Sequence, residues 1–397
     1  MIDLRFEGPS RPERPAGRPE SALWTEALSR AVARLKRNLA FFPLGLYPAP
    51  SSAGGTYAAI RNVEWTSSFW PGMLWLAYEA TGDELFRGEA LARVPDFRRR
   101  LDEREAVETH DLGFLYTLSC VAPWRLLGDR GARDSALKAA TMLLARYFEK
   151  ARIIQAWGDL CDPKQRGRII VDCAMNLPLL FWASAETGNP YYREAAAAHL
   201  RAANASLIRE DASTFHTFYF DLGTGAPLRG ETAQGRSDDS CWARGQAWGI
   251  YGNALCYRYL GDPSLLETAA RLARYFLDRL PEDLVCYWDL SFEEGSGEER
   301  DSSAAAIAVC GLLELASHLP ALDPRREEFE AAAIRIGASL ASGYSTPSEG
   351  GEGPRGLLMH SVYNKPKGEG VDESCAWGDY FYLEALVRLT RAWQPYW

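Results

Sequence analysis

Paired cysteine motifs, long apolar runs and an excess of basic charge are all missing from this 397-residue chain. Its eight cysteines, at positions 120, 161, 173, 241, 256, 286, 310 and 375, form no C-x-x-C pair. Several fall inside apolar helical patterns, which argues for reduced, buried thiols rather than a disulfide framework. No apolar run approaches the ~18 residues that a membrane span needs, so no membrane partner is expected. Lys and Arg number 44 against 53 Asp and Glu, and the net charge of −9 argues against binding nucleic acid through general phosphate attraction. The five histidines (110, 199, 216, 318, 360) show no H-E-x-x-H or other ligand spacing, so neither a metal nor another cofactor is expected. A G-x-G-x-x-G string at 351–356 follows no predicted strand and opens no helix, and implies no dinucleotide. The first residues have no basic stretch followed by an apolar one, which leads to the expectation of a cytoplasmic protein.

What the chain does have is aromatic surface, with 13 Trp and 18 Tyr, many of them in polar surroundings. Aromatic faces bordered by polar groups suit sugar rings, whose C–H faces stack on them. Residues 1–20 are rich in Pro and Arg and read as a loose tail. From Ser21 onward, apolar residues recur at three and four, as in Leu28, Val32, Leu35 and Leu39, the period of an amphipathic helix. One turn then recurs: Thr81-Gly82-Asp83, Leu127-Gly128-Asp129, Thr187-Gly188-Asn189-Pro190, Leu260-Gly261-Asp262-Pro263 and Leu322-Asp323-Pro324. Gly ends one helix in the left-handed conformation, Asp or Asn caps the next, and Pro fits its first turn. A repeat of roughly 60 residues over the ordered length predicts about six helical hairpins. Six hairpins can close into a ring, so the expected fold is a single all-α domain, an (α/α)6 barrel over residues 21–397. Only minor short strands are expected, at 214–220 and around 284–289.

Six polar clusters precede the helices expected to line the barrel: Glu64-Trp65-Thr66-Ser67, His110-Asp111-Leu112-Gly113, Val171-Asp172-Cys173-Ala174-Met175-Asn176, Trp242-Ala243-Arg244, Arg300-Asp301-Ser302-Ser303 and Glu373-Ser374-Cys375-Ala376-Trp377. In a ring all six face one mouth. An Asp at a helix start is most often a cap, and Asp111, Asp172 and Asp301 each admit that reading. Asp111, beside His110, and Asp172, at the head of a strongly apolar helix, are the two that also suit proton transfer, since burial and a second carboxylate raise a carboxyl pKa. Arg244 and Trp248 are four apart and share a helix face, where they could grip a ligand or simply pack on each other.

On these motifs the chain resembles the unsaturated glucuronyl hydrolases, glycoside hydrolase family 88. The resemblance rests on the stretches that begin at Trp65, His110, Met175, Ser240, Arg300 and Trp377, and it covers roughly residues 60–397. It implies an (α/α)6 barrel that removes the 4,5-unsaturated uronic acid left by polysaccharide lyases at the non-reducing end of oligosaccharides. By the same resemblance Asp111 and Asp172 are the working carboxylates, and His110, Trp65, Trp157, His216, Gln234, Arg244 and Trp248 contact the substrate. Arg236, Ser361, Lys365 and Lys367 are candidates for choosing between sulfated and unsulfated sugars. One departure is Ala174, where relatives often have Met. The expected partner is an unsaturated oligosaccharide, bound by a monomer or weak homo-oligomer. Rival readings are an unsaturated rhamnogalacturonyl hydrolase, an inverting glycosidase with carboxylates ~6.5–9.5 Å apart, and a glycan-binding barrel without activity.

Overall fold

The computed structural model describes residues 20–347 and 353–397, so the expected tail lies, except for Glu20, outside the described residues, as do positions 351 and 352 of the Gly-rich string. Outer helix α1 (Glu20–Asn38) leads to inner helix α2 (Phe69–Thr81), and α3 (Glu84–Leu91) with α4 (Val94–Asp102) returns on the outside. The next inner element is α5 (Leu112–Tyr116), which runs through a π-helical turn at Thr117–Val121 into α6 (Ala122–Leu127). Pro123 lies at the start of α6, and the wide turn before it accommodates the missing N–H. Outer α7 (Arg130–Leu144), inner α8 (Cys173–Asn176) and α9 (Pro178–Thr187), outer α10 (Pro190–Leu207), inner α11 (Ala243–Leu260), outer α12 (Pro263–Leu277), inner α13 (Ser302–His318), outer α14 (Pro324–Ser339) and inner α15 (Ala376–Thr390) complete the chain.

The inner helices meet in sequence, α2 with the π turn, α5 with α8, α8 with α11, α11 with α13, α13 with α15, and α15 back to α2, so the ring closes. This is the expected (α/α)6 barrel. Burial follows position: α13 is enclosed from Ser302 to Ala316, whereas outer α12 buries only one stripe, Leu265, Leu266, Ala269, Ala270, Leu272, Ala273 and Phe276. The recurring turn works as its residues dictate. Gly82, Gly128, Gly188 and Gly261 end helices in the left-handed region, and the side chains of Asp83, Asp129, Asn189, Asp262 and Asp323 each accept a backbone N–H of the helix that follows.

Short strands decorate the mouth. They are β1 (Tyr47–Pro48) with β2 (Ala59–Ile60), β3 (Tyr147–Phe148) with β4 (Ile153–Ile154), a three-stranded antiparallel sheet of β5 (Arg168–Ile170), β6 (Thr217–Phe220) and β7 (Pro227–Glu231), and the pair β8 (Ser361–Asn364) and β9 (Glu369–Glu373). The strand expected at 214–220 is β6. The one expected around 284–289 reduces to isolated bridges from Tyr287 to Arg300 and from Asp289 to Trp242, because each side of that stretch meets a different partner.

At the opposite end of the barrel a buried charge network ties three inner helices together. Arg388 of α15 binds Glu384 (2.9 Å) and Glu314 of α13 (2.9 Å), and Arg258 of α11 also binds Glu314. Tyr251 donates to Glu384, as does the indole N–H of Trp397 at 3.0 Å. Burial alone would raise the Glu314 pKa, but Arg258 and Arg388 outweigh it and hold the group well below its ordinary value. A carboxylate depressed in the folded state stabilises above its unfolded pKa, and that stability is lost as pH falls through the folded value. Arg388→Met leaves Glu314 and Glu384 short of a buried partner and is expected to cost about 3–5 kcal/mol at neutral pH. Denaturant midpoints should show this penalty in full above pH 4.5 and shrinking in acid.

Candidate active site

The mouth is built where α5 and α8 begin side by side. Gly113 makes this possible, because a Cβ there would lie 2.3 Å from the Asn176 Cα and 2.4 Å from its carbonyl oxygen. Asp111 and Asp172 occupy the cap positions of these helices, yet neither side chain accepts a bond from the helix it precedes. Asn176 takes over that role for α5, its Oδ1 accepting the Phe114 N–H at 2.8 Å. Asp301 does the reverse and spends its Oδ1 on Ser303 N and Ala304 N, so the capping reading holds for Asp301 alone among the three.

Freed from capping, the two carboxylates turn to His110. The His110 Nε2 lies 3.4 Å from Asp111 Oδ1 and 3.2 Å from Asp172 Oδ1. These donor and acceptor atoms all fall within 4.8 Å of one another, and His110 and Asp111 are buried. Both oxygens and both ring nitrogens lack a hydrogen bond of good geometry among the described residues, an unusual concentration of unspent polar groups. The other Asp111 oxygen accepts from the Thr109 hydroxyl at 2.7 Å, which holds that side chain still.

Burial works against charge on His110, but Asp111 and Asp172 outweigh it and raise its pKa. Burial, reinforced by Asp172, raises the Asp111 pKa, with His110, Thr109 and Asn176 opposing. The same spacing would suit a divalent cation, and among the described residues this trio is the one cluster of its kind.

The β5–β6 sheet carries His216 to the site, the Val171 N–H donating to the His216 carbonyl one residue before Asp172. Its Nδ1 accepts from Ala233 N (2.8 Å) and Gln234 N (3.3 Å), so Nε2 carries the proton. Burial, then Arg168 and Arg244, push its pKa well down, leaving a neutral N–H donor with no hydrogen-bond partner among the described residues. Trp157 is half-buried and bridged to Thr109, which links it to the Asp111 turn. Trp65, also half-buried, stacks on Trp377 with ring centres 5.2 Å apart, and its indole N–H faces the Tyr363 hydroxyl at 3.4 Å.

Two expected contacts sit deeper. Trp248 is 1% exposed, wedged between Phe114 and Phe381, so it belongs to the core below the mouth. Arg244 is equally buried, layered between Trp242 and Trp377, and its guanidinium donates to Val362 O, Tyr363 O, Asp301 and the Gln234 side chain. Of the four candidates for reading sulfation, Ser361 is buried against the Ser302 hydroxyl and Lys365 is paired with Glu299, while Arg236 and Lys367 are exposed. Ala174 packs where α8 crosses α11 at Gly252, beside a small cavity also lined by Ala203, Asn204 and Leu207; a Cβ on Gly252 would meet the Ala174 Cβ at 2.4 Å. Thr109 and Tyr363 were not singled out by sequence. Only the Thr-x-Asp spacing of the first could have flagged it, as a local hydroxyl–carboxylate turn.

The family model for Glycosyl Hydrolase Family 88 matches residues 53–317, and the chain belongs to that family of glycoside hydrolases. It is 48% identical to the unsaturated chondroitin disaccharide hydrolase of Streptococcus pyogenes serotype M1, over 94% of this chain and 92% of that one. Among solved structures it is similar to the unsaturated glucuronyl hydrolase of Streptococcus agalactiae, with TM-score 0.92 and 46% identity over 95% and 94% of the two chains. It also matches the unsaturated glucuronyl hydrolase from Bacillus sp. GL1, described as responsible for the degradation of glycosaminoglycan, with TM-score 0.90 and 48% identity over 93% and 98%.

The raised Asp111 pKa has a sign that can be checked. An acid whose folded pKa exceeds its unfolded value destabilises the fold when ionised, and the cost disappears below both values. Asp111→Asn is therefore expected to raise Tm modestly at neutral pH, with the gain fading as pH approaches the ordinary value of 3.8. Thermal melts of both proteins across that range test this.

Proposed function

We propose that the chain is an unsaturated glucuronyl hydrolase that hydrates the C4=C5 double bond of the non-reducing-end uronic acid in lyase-generated oligosaccharides. The observation that carries this is the uncapped pair, Asp111 and Asp172, gathered around His110 at the mouth of the barrel. Their oxygens, within 4.8 Å of each other, stand closer than the ~6.5–9.5 Å separation of an inverting glycosidase's carboxyls. Reaction at a double bond needs one acid on one face of the sugar instead.

Asp172 is the proton donor. Its side chain is 15% exposed against 8% for Asp111, which the Thr109 hydroxyl pins. The Asp172 proton goes to C4 and positive charge develops at C5, shared with the ring oxygen. A water then adds at C5 and returns a proton to Asp172, so one group serves both steps. The hemiketal opens, the bond to the aglycone oxygen breaks, and the freed uronic acid leaves as a 5-keto sugar. Asp111 and His110 set the charge around that proton, and Trp65 and Trp157 offer aromatic walls. The neutral His216 N–H and the Gln234 amide reach the sugar's oxygens. Arg244 holds Gln234 and β8 in place and supplies positive charge behind them.

Glycosaminoglycan disaccharides are the favoured substrates, as the relatives' names suggest, and exposed Arg236 and Lys367 are the cations left to meet a sulfate. Eight free thiols, seven of them buried, suit a reducing cytoplasm. A monomer or weak homo-oligomer is the proposed assembly. Following the ultraviolet absorbance of the conjugated double bond in unsaturated chondroitin and hyaluronan disaccharides gives the test. Wild type should bleach it, and Asp172→Asn should lower kcat by about 10²–10⁴-fold. An active Asp172→Asn variant would remove Asp172 from the acid role, and a wild type inert on these and on rhamnogalacturonan fragments would overturn the hydrolase reading.

A further inference from the structure

Behind Trp157, cations and aromatic rings alternate across the three-stranded sheet. The Arg168 guanidinium carbon sits 4.6 Å from the Trp157 ring centre on one side and 5.5 Å from the Tyr219 ring centre on the other. Arg229 covers Tyr219 in turn at 4.6 Å, and Glu231 pairs with Arg229. The register explains the alignment: Arg168 is the cross-strand partner of Tyr219, and Tyr219 of Arg229, so all three project from one face. Trp157 joins the end of the row because the Ala156 N–H donates to the Arg168 carbonyl at 2.8 Å.

Arg168 is a costly residue to place there. It is 8% exposed, and among the described residues its buried Nε has no hydrogen-bond partner and its one side-chain bond runs from Nη1 to the Gln165 Oε1 at 3.2 Å. The faces of Trp157 and Tyr219 are what compensate it, and attraction between a cation and a ring grows as water is excluded. In return, the Trp157 indole is held from behind by a charge, at a point of the rim where the neighbouring loop, 158–166, contains no regular secondary structure.

We propose that Arg168 is a positioning residue: the ladder Trp157–Arg168–Tyr219–Arg229 fixes the Trp157 ring for the sugar stacked on it. The inference rests on reading Trp157 as a sugar platform, and its test separates the two. KM and kcat on an unsaturated chondroitin disaccharide are measured for Arg168→Met, Trp157→Ala and the double variant. Arg168→Met is expected to raise KM about 3- to 10-fold with kcat within about two-fold, and Arg168→Lys to retain most of the affinity. In the Trp157→Ala background the Arg168→Met change should add little, since the ladder acts through the ring it no longer holds.

An equal KM increase in both backgrounds overturns the inference while leaving the platform intact. If Trp157→Ala alone leaves KM unchanged, the platform reading fails and the ladder's role falls with it. Should Arg168→Met fold poorly, Tyr219→Leu removes the next ring and Tyr219→Phe keeps it. A higher KM for the Leu variant than for the Phe variant supports the ladder, and equal values overturn it.

Discussion

Two aspartates stand at helix starts without capping those helices, and the site depends on that restraint. An Asp at such a position ordinarily gives its oxygens to the free N–H groups of the first turn, as Asp301 does in this same barrel. At Asp111 the demand is met from outside, because Asn176 accepts the Phe114 N–H. That substitution of one acceptor for another requires α5 and α8 to touch, and Gly113 is the residue that lets them. The acid oxygens are then free to face each other across His110.

Such an arrangement is unfavourable taken alone, since two like charges are drawn into a buried corner. His110, set between them, relieves part of the cost, and the remainder is carried by the scaffold. At the far end of the barrel the corresponding charges are matched: Arg388 and Arg258 against Glu384 and Glu314, with Tyr251 and Trp397 completing the bonds. The inner helices are thus fastened at one end and leave their starts to hold unsatisfied groups at the other. That polarity gives a closed ring of helices a working face.

The rim residues divide by depth. Trp65 and Trp157 keep part of their surface open, whereas Trp248 and Arg244 lie one layer lower and shape what is above them. Arg244 is held by two backbone carbonyls of β8 and by Gln234, so it joins the β8–β9 pair to α11. The β5–β6–β7 sheet does the same on the other side, placing His216 beside Asp172 and Arg168 behind Trp157. Short strands of two to five residues, negligible in the core, decide where the functional side chains stand.

The helical ring and its turns were legible in the sequence, because they follow from local chemistry: a 3.6-residue apolar period, Gly at a left-handed helix end, Asp or Asn at the next start. The polar clusters at Asp111 and Asp172 were legible for the same reason, being tied to helix starts that the period locates. Which aspartate caps and which stays free was not, since Asp111, Asp172 and Asp301 look alike along the chain and differ only in what a distant Asn176 or a nearby N–H offers them. The depth of Arg244 and Trp248, the approach of Tyr363 to Trp65, and the ladder from Trp157 to Arg229 were hidden too. Each joins residues from 10 to about 300 positions apart, often through strands too short to leave a pattern. The sequence by itself determined that helices would pair and close around a mouth lined with acids and aromatics. Only the tertiary structure decided which of those groups remain free to react, because freedom here means a hydrogen bond made by some other part of the chain.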